Sequence, residues 1–178
     1  MIENLILVDE DDHQIGESEK ISAHKEALRH RAFSIFIFKK NEQDCWQLLL
    51  QQRSQEKYHC GGLWTNTCCG HPRPGEETIK AAKRRLFEEM GVKMKLSYAG
   101  VFHYIAKFDT GLTENEVDHV FVGIYDNEKI EPNPDEVQDY RWVDLETVDK
   151  ELSHDKLFYT PWFAEAFKHA RRLLKETE

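Results

Sequence analysis

The stretch TNTCCGHPRPGE, residues 65–76, sets two cysteines side by side and a histidine two places beyond the second. Thiols and imidazoles move protons or hold metal near neutral pH. In an extended chain neighbouring side chains point to opposite faces, and residues two apart share one. Cys69 is therefore expected to lie with His71 and Cys68 to point away, with Gly70 the position at which a bend could break that parity. Further groups of the same chemistry are His24 and His30 in SAHKEALRHRAF and Glu114 and Glu116 in TENEV. The two glutamates would share a strand face. Three imidazoles and two carboxylates suit a roughly octahedral divalent ion such as Mg²⁺, Mn²⁺ or Zn²⁺, and exceed the usual structural zinc tetrahedron. Taken singly, two histidines in a basic segment read as solvated surface and ENE as a polar turn. A structural zinc on Cys60, Cys68, Cys69 and His71, in a protein that is not an enzyme, is one alternative.

The segment that follows, GHPRPGEETIKAAKRRLFEEMGV at 70–92, carries paired glutamates on an expected helix. Ile79, Ala82, Leu86 and Met90 fall on one face, and Gly91 is a natural stop. At ~100° per residue, Glu88 lies opposite the apolar stripe, suited to pair with Arg84, and Glu89 lies on its flank, one turn from Arg85. Carboxylates on one side of a helix are the hard oxygen ligands a divalent metal takes, and Glu89, at the edge of the buried face, is the better-placed ligand.

The elements that must position these groups are legible in outline. Strands are expected over residues 5–10, 32–40, 46–54, 100–108, 116–125 and 137–143, with loop over 55–75. A carboxyl-terminal helix over 160–176 should open with Thr160 as N-cap and Pro161 at its first position. Strands and helices in this order pack economically as a mixed sheet flanked by helices, an α/β or α+β arrangement. One domain is expected over 1–178, and 40 % hydrophobic residues suffice for a core. A net charge of −9 argues against a nucleic-acid or membrane partner but leaves room for a small anion on a local basic cluster. No window approaches the ~20 apolar residues of a membrane span. Four cysteines without a signal peptide suggest a reducing cytoplasmic compartment, with the thiols free.

Residues 70–92 resemble the Nudix box, G-x5-E-x7-R-E-U-x-E-E-x-G-U. Gly70, Glu76, Arg84, Leu86, Glu88, Glu89, Gly91 and Val92 match, and Arg85 alone departs, standing where the box has glutamate. In Nudix hydrolases that glutamate helps bind metal and position or activate water. Arginine can bind phosphate but does neither.

Together with TNTCCGHP, ENEV and YTPWF, the altered box resembles type 1 isopentenyl diphosphate isomerase, over about residues 4–165. The resemblance implies a Nudix-like three-layer α/β/α sandwich with a mixed central sheet. Its Nudix core would span about 30–165, and an amino-terminal extension, 1–29, would add metal ligands. The implied activity is interconversion of isopentenyl and dimethylallyl diphosphate. Cys69 and Glu116 match the catalytic pair, and Tyr104 and Trp162 match active-site aromatics. His24, His30, His71, Glu114 and Glu116 match a divalent-metal site for Mn²⁺, Mg²⁺ or Zn²⁺. Glu89 and the Cys69 backbone carbonyl match a Mg²⁺ site on the diphosphate, and Lys20, Arg53, Lys57, Arg84 and Arg85 match its basic residues. A monomer is implied. HCGG at 59–62 departs from the more usual Pro-Gly before GxWTN, which bears on local loop shape.

That chemistry is severe. An unactivated alkene is a very weak base, so its proton donor must be close and dry, and a tertiary carbocation needs stabilisation without a trapping nucleophile. A metal-bound Glu116 near Tyr104 suits the donor, a tryptophan face suits the cation, and a Cys69 thiolate, favoured by an electropositive setting, suits the base. The enzymatic rival is a Nudix hydrolase of a diphosphate, against which Arg85 counts.

Overall fold

The computed structural model describes residues 3–155 and 158–176, so both ends of the expected 1–178 domain and the pair 156–157 lie outside the described residues. The elements run β1 (Asn4–Val8), β2 (Gln14–Glu19), α1 (Lys20–Lys25), β3 (His30–Lys40), β4 (Trp46–Arg53), β5 (Trp64–Thr65), β6 (Cys68–Gly70), α2 (Thr78–Met90), β7 (Ser97–Lys107), β8 (Thr113–Ile124), β9 (Val137–Asp144), α3 (Leu145–His154) and α4 (Phe163–Glu176). All the strands join one mixed sheet. Its centre is β3, an eleven-residue run of mostly β-branched and aromatic side chains, nearly all buried.

Strand β3 pairs parallel with β8, from His30 against Glu116 to Phe38 against Ile124. Its other edge is shared by β1 at His30, β6 at Phe33–Ile35, and β4 at Phe38–Lys40, all antiparallel. Strand β7 closes one side antiparallel to β8, and β9 lies outside β4.

Alternation along β3 splits the core in two. Phe33, Ile35 and Ile37 pack with Cys68, Phe121 and the α2 stripe of Ala81, Ala82, Leu86 and Met90. Phe36 and Phe38 pack on the opposite face with Val120, Val122 and the α4 residues Phe163, Ala166, Phe167 and Ala170. The sheet thus lies between helices, the expected α/β layering. Helix α2 ends where Gly91 takes a left-handed φ of 70°.

Three expectations differ. The 55–75 loop holds two short strands, β5 and β6. The helices α1 and α3 and strand β2 were not foreseen, although Leu145, Val148 and Leu152 carry helical spacing. Helix α4 begins at Phe163, and the Thr160 hydroxyl bonds Thr65 Oγ1 at 2.8 Å instead of capping the helix. The expected pair of Arg84 with Glu88 forms at 3.2 Å, and Arg84 also donates to Glu76 at 2.8 and 2.9 Å, so it ties α2 to the preceding turn.

Candidate active site: a histidine–carboxylate cluster, a thiol and an indole around one cavity

Register places the chemistry on one end of the sheet's α4 face. On β3 that face carries His30 and Ser34, and on β8 it carries Glu114, Glu116 and Asp118. Tyr104 of β7 stands opposite Glu116, and Cys69 of β6 stands opposite Ser34. Paired residues share a face, so strands far apart in sequence deliver these groups to one patch. Cys69, His71, Tyr104, Glu114, Glu116 and Trp162 line a cavity of about 350 Å³. The parity of the paired cysteines holds: Cys69 and His71 face the cavity, while Cys68 is wholly buried under α2. Gly70 does not break it. A Cβ there would come within 3.0 Å of Phe33 and 3.3 Å of the Arg85 stem, so its absence lets α2 approach β6. The alternative zinc site on Cys60, Cys68, Cys69 and His71 fails, because Cys68 points to the opposite face.

Five side chains converge as candidate metal ligands. His24, His30, His71, Glu114 and Glu116 are buried, and one ligand atom from each lies within 4.8 Å of all the others. His24 Nδ1 donates to the Lys20 carbonyl at 2.6 Å, and His30 Nδ1 to the Leu28 carbonyl at 2.8 Å. Those bonds aim both Nε2 atoms inward, as outer partners of metal-bound imidazoles do. His24 Nε2 lies 3.0 Å from Glu114 Oε2, and His71 Nε2 lies 2.8 Å from Glu116 Oε1. His30 Nε2 stands between the carboxylates, 3.5 Å from Glu114 and 3.4 Å from Glu116, without a hydrogen bond. An orphaned buried nitrogen facing two carboxylates is the donor set a divalent cation would complete.

The electrostatics agree. Burial raises the Glu114 pKa, but the bond from His24 and the nearby His30 and His59 imidazoles outweigh it and hold the carboxylate well below its ordinary range. Burial and Glu114 push Glu116 up, and His30 and His71 more than offset them. Burial lowers His71, whose bond to Glu116 compensates only in part, so its imidazole is neutral. Burial also lowers His30, but the two carboxylates dominate and raise it to about 10. Being raised above the ordinary histidine value of 6.5, this group stabilises the metal-free fold fully below that value and loses the effect as pH rises through about 10. A cation must displace that proton. Metal uptake near pH ~7.5 is therefore expected to release about one proton, seen as a buffer-dependent heat in calorimetric titration. Heats that do not change with the buffer's ionisation enthalpy would rule this out.

Tyr104 donates to Glu116 Oε2 at 2.5 Å. Burial and the Glu116 charge raise its pKa well above that of a free phenol. Its ring lies 6.1 Å from that of Trp162, and the Arg53 guanidinium sits 5.5 Å over the same indole. The expected Cys69 thiolate is corrected: burial raises its pKa to about 12, and Arg53 pulls back too weakly to reverse this. Desolvation of sulfur outweighs the positive setting, so the resting group is a thiol.

Lys20, Arg53, Lys57, Arg85 and Glu89 line the same cavity, and Arg84 does not. Arg85 pairs with Glu89, with Glu88 at 2.8 Å and with Glu136 at 3.2 Å. Lys57 pairs with Glu136 and lies 3.8 Å from Glu89. Glu89 is 2 % exposed, accepts from Gln51 at 3.0 Å, and is ionised because Lys57 and Arg85 overcome the burial that raises it. Lys20 bonds Glu3 at 2.9 Å.

Sequence reasoning missed several lining residues. His59 stacks on Phe108 at 4.7 Å and contacts the Glu114 oxygen that His24 does not use. Its only signal was the departure at HCGG. Tyr58, Ser34 and Glu136 also line the cavity and carry no motif.

The chain matches the NUDIX domain family over residues 28–163. It is 47 % identical over 164 residues to isopentenyl-diphosphate Delta-isomerase 2 of Aromatoleum aromaticum, covering 92 % of this chain and 84 % of that one. It is 46 % identical over 168 residues to isopentenyl-diphosphate Delta-isomerase of Serratia proteamaculans, covering 94 % and 91 %. Among solved structures it is similar to a Deinococcus radiodurans protein, with a TM-score of 0.66, 22 % identity and coverage of 85 % and 89 %. It is also similar to a MutT protein of Methanosarcina mazei, with a TM-score of 0.60, 23 % identity and coverage of 82 % and 96 %. These structural likenesses bear on the fold alone.

Proposed function

The chain belongs to the Nudix superfamily and, within it, to the isopentenyl-diphosphate Delta-isomerases, and from that premise we propose how its residues divide the reaction. It is an isomerase that interconverts isopentenyl and dimethylallyl diphosphate, by adding a proton to the alkene and removing one from another carbon of the resulting tertiary cation. Glu116, with Tyr104 hydrogen-bonded to it, and Cys69 are the two proton-carrying groups. The reaction runs both ways, so the group that donates in one direction accepts in the other. The Trp162 face stabilises the cation between them without offering a nucleophile.

His24, His30, His71, Glu114 and Glu116 hold one divalent cation, for which Mn²⁺, Mg²⁺ and Zn²⁺ all suit the donor set. Glu89 and the Cys69 carbonyl would hold Mg²⁺ for the diphosphate, which the cavity-lining Lys20, Arg53, Lys57 and Arg85 would grip. Bound cations supply charge neutralisation and polarise their ligands. The amino-terminal extension contributes Lys20 and His24. Among the described residues no helix is long and apolar enough to cross a membrane, and free thiols fit a cytoplasmic setting.

The observation that carries this reading is the hydrogen-bonded Tyr104–Glu116 pair, the Cys69 thiol and the Trp162 indole on one cavity. Incubation with isopentenyl diphosphate and Mg²⁺ should yield acid-labile dimethylallyl diphosphate and no released phosphate. Phosphate in place of the isomer would favour hydrolysis. Arg85→Ala is expected to raise KM by about 10-fold or more, having lost a charge-assisted grip on the diphosphate, and to create no hydrolysis. Unchanged steady-state constants would remove Arg85 from the binding role. Arg85→Glu restores the Nudix box and is the variant in which slow hydrolysis should emerge.

A further inference from the structure

We propose that Asn66 is a positioning residue that aims both Cys69 and Trp162 through a single amide oxygen. The inference rests on the reading that those two groups flank the hydrocarbon half of the substrate. Asn66 is wholly buried. Its amide nitrogen donates to the Cys68 carbonyl at 2.7 Å and to the Ile35 carbonyl at 3.2 Å. Both N–H groups are therefore engaged, and turning the amide over would leave two buried carbonyls facing an oxygen.

The oxygen must then face donors. Thr65 Oγ1 lies at 2.9 Å, Trp162 Nε1 at 3.2 Å and the Cys69 sulfur at 3.6 Å. A carbonyl oxygen has two lone pairs, so three donors compete. Thr65 has a second partner in the Thr160 hydroxyl at 2.8 Å, where either group can donate. With Thr65 turned to Thr160, the indole and the thiol share the oxygen between them. The same segments are tied through their backbones, since Thr160 N–H donates to the Trp64 carbonyl at 3.0 Å. The plane of the indole is thus set by one fixed atom, which also holds the thiol, together with Thr65 Oγ1 at 4.0 Å from the sulfur.

This matters because both groups act by direction. The indole attracts a cation only across its face, and a proton moves between sulfur and carbon only when the two are aligned. Lost orientation on the order of 1 Å costs about 100-fold in rate. Substrate affinity comes from the diphosphate grip of Lys20, Arg53, Lys57 and Arg85, none of which hydrogen-bonds Asn66. The effect of disturbing Asn66 should therefore fall on kcat.

Asn66→Ala is expected to lower kcat about 100-fold per folded molecule while KM stays within about threefold. A purely structural role would lower the melting temperature and leave kcat per folded molecule unchanged, which would overturn the proposal. Should that variant not fold, Trp162 can be replaced by benzothienylalanine, which keeps the ring size and π-face and puts sulfur in place of the N–H. A loss of about 10-fold in kcat at constant KM is then expected, and a wild-type kcat would overturn the proposal. Cys69→Ala, assayed alongside, separates the two levels of the argument. An active Cys69→Ala enzyme defeats the catalytic reading of Cys69, whereas an inactive one beside a fully active Asn66→Ala enzyme defeats the Asn66 inference alone.

Discussion

Replacing Cys69 by alanine is expected to lower kcat on the order of 10⁴-fold, while Cys68→Ala keeps the rate within about twofold. The contrast follows from one residue of register. Cys69 stands on the cavity face of β6 opposite Ser34, and Cys68 stands on the α2 face among Ile35, Leu86 and Met90. Cys68→Ala removes a small buried group and should cost only about 1 kcal/mol of stability. Cys69→Ser keeps the shape and loses the chemistry, because a hydroxyl is a far weaker acid than a thiol and a carbon-bound proton demands a well-matched partner. A loss on the order of 10²–10³ is expected there. The resting thiol, with its pKa raised to about 12 by burial, sits closer to its task than a serine would. Steady-state assays of the three variants decide the matter, and an active Cys69→Ala enzyme would overturn the assignment. The epoxide of isopentenyl diphosphate should alkylate Cys69 or Glu116, and peptide mapping that found it on Cys68 would contradict the register.

How much of this was legible beforehand depended on the range of the signal. The cysteine parity needs only the two-residue period of a strand, and the α2 stripe needs only the helical period, so both were readable. The convergence of the histidines was not. His30 meets Glu116 through a parallel pairing between β3 and β8, and no local pattern encodes which residues of two strands stand opposite. His24 rides on α1, a six-residue helix too short to leave a periodic trace, and β5 and β6 are two and three residues long. The family resemblance named the ligands and the diphosphate grip because it carries long-range information that a single chain lacks. It also brought in Arg84, whose guanidinium is tied to Glu76 and Glu88. His59 showed only as a departure at HCGG, and its place against Glu114 emerged only from packing. The charge state of Cys69 failed for a different reason: nearby cations can be counted in a sequence, but the depth of burial that outweighs them cannot.

The two carboxylates of the cluster should fail in different ways when each is made an amide. Glu114 accepts from His24, lies 3.5 Å from His30 and contacts His59, so its neighbours are imidazoles of the cluster. Glu116 accepts from His71 on one oxygen and from the Tyr104 phenol on the other. One oxygen of Glu116 thus faces the candidate metal and the other faces the route to substrate. Glu114→Gln is expected to weaken metal binding on the order of 10²-fold, with activity recovering as metal is raised, because the amide oxygen still coordinates and the proton-carrying groups are intact. Glu116→Gln should weaken metal binding to a similar degree, yet its kcat should stay at least about 10³-fold down even at saturating metal, since an amide cannot carry the proton. The measurement is kcat against free metal for both variants, with metal occupancy determined independently. Full recovery of Glu116→Gln at high metal would reduce Glu116 to a ligand and leave the second proton-carrying role to Tyr104 alone. Failure of Glu114→Gln to recover would mean that both carboxylates act beyond coordination.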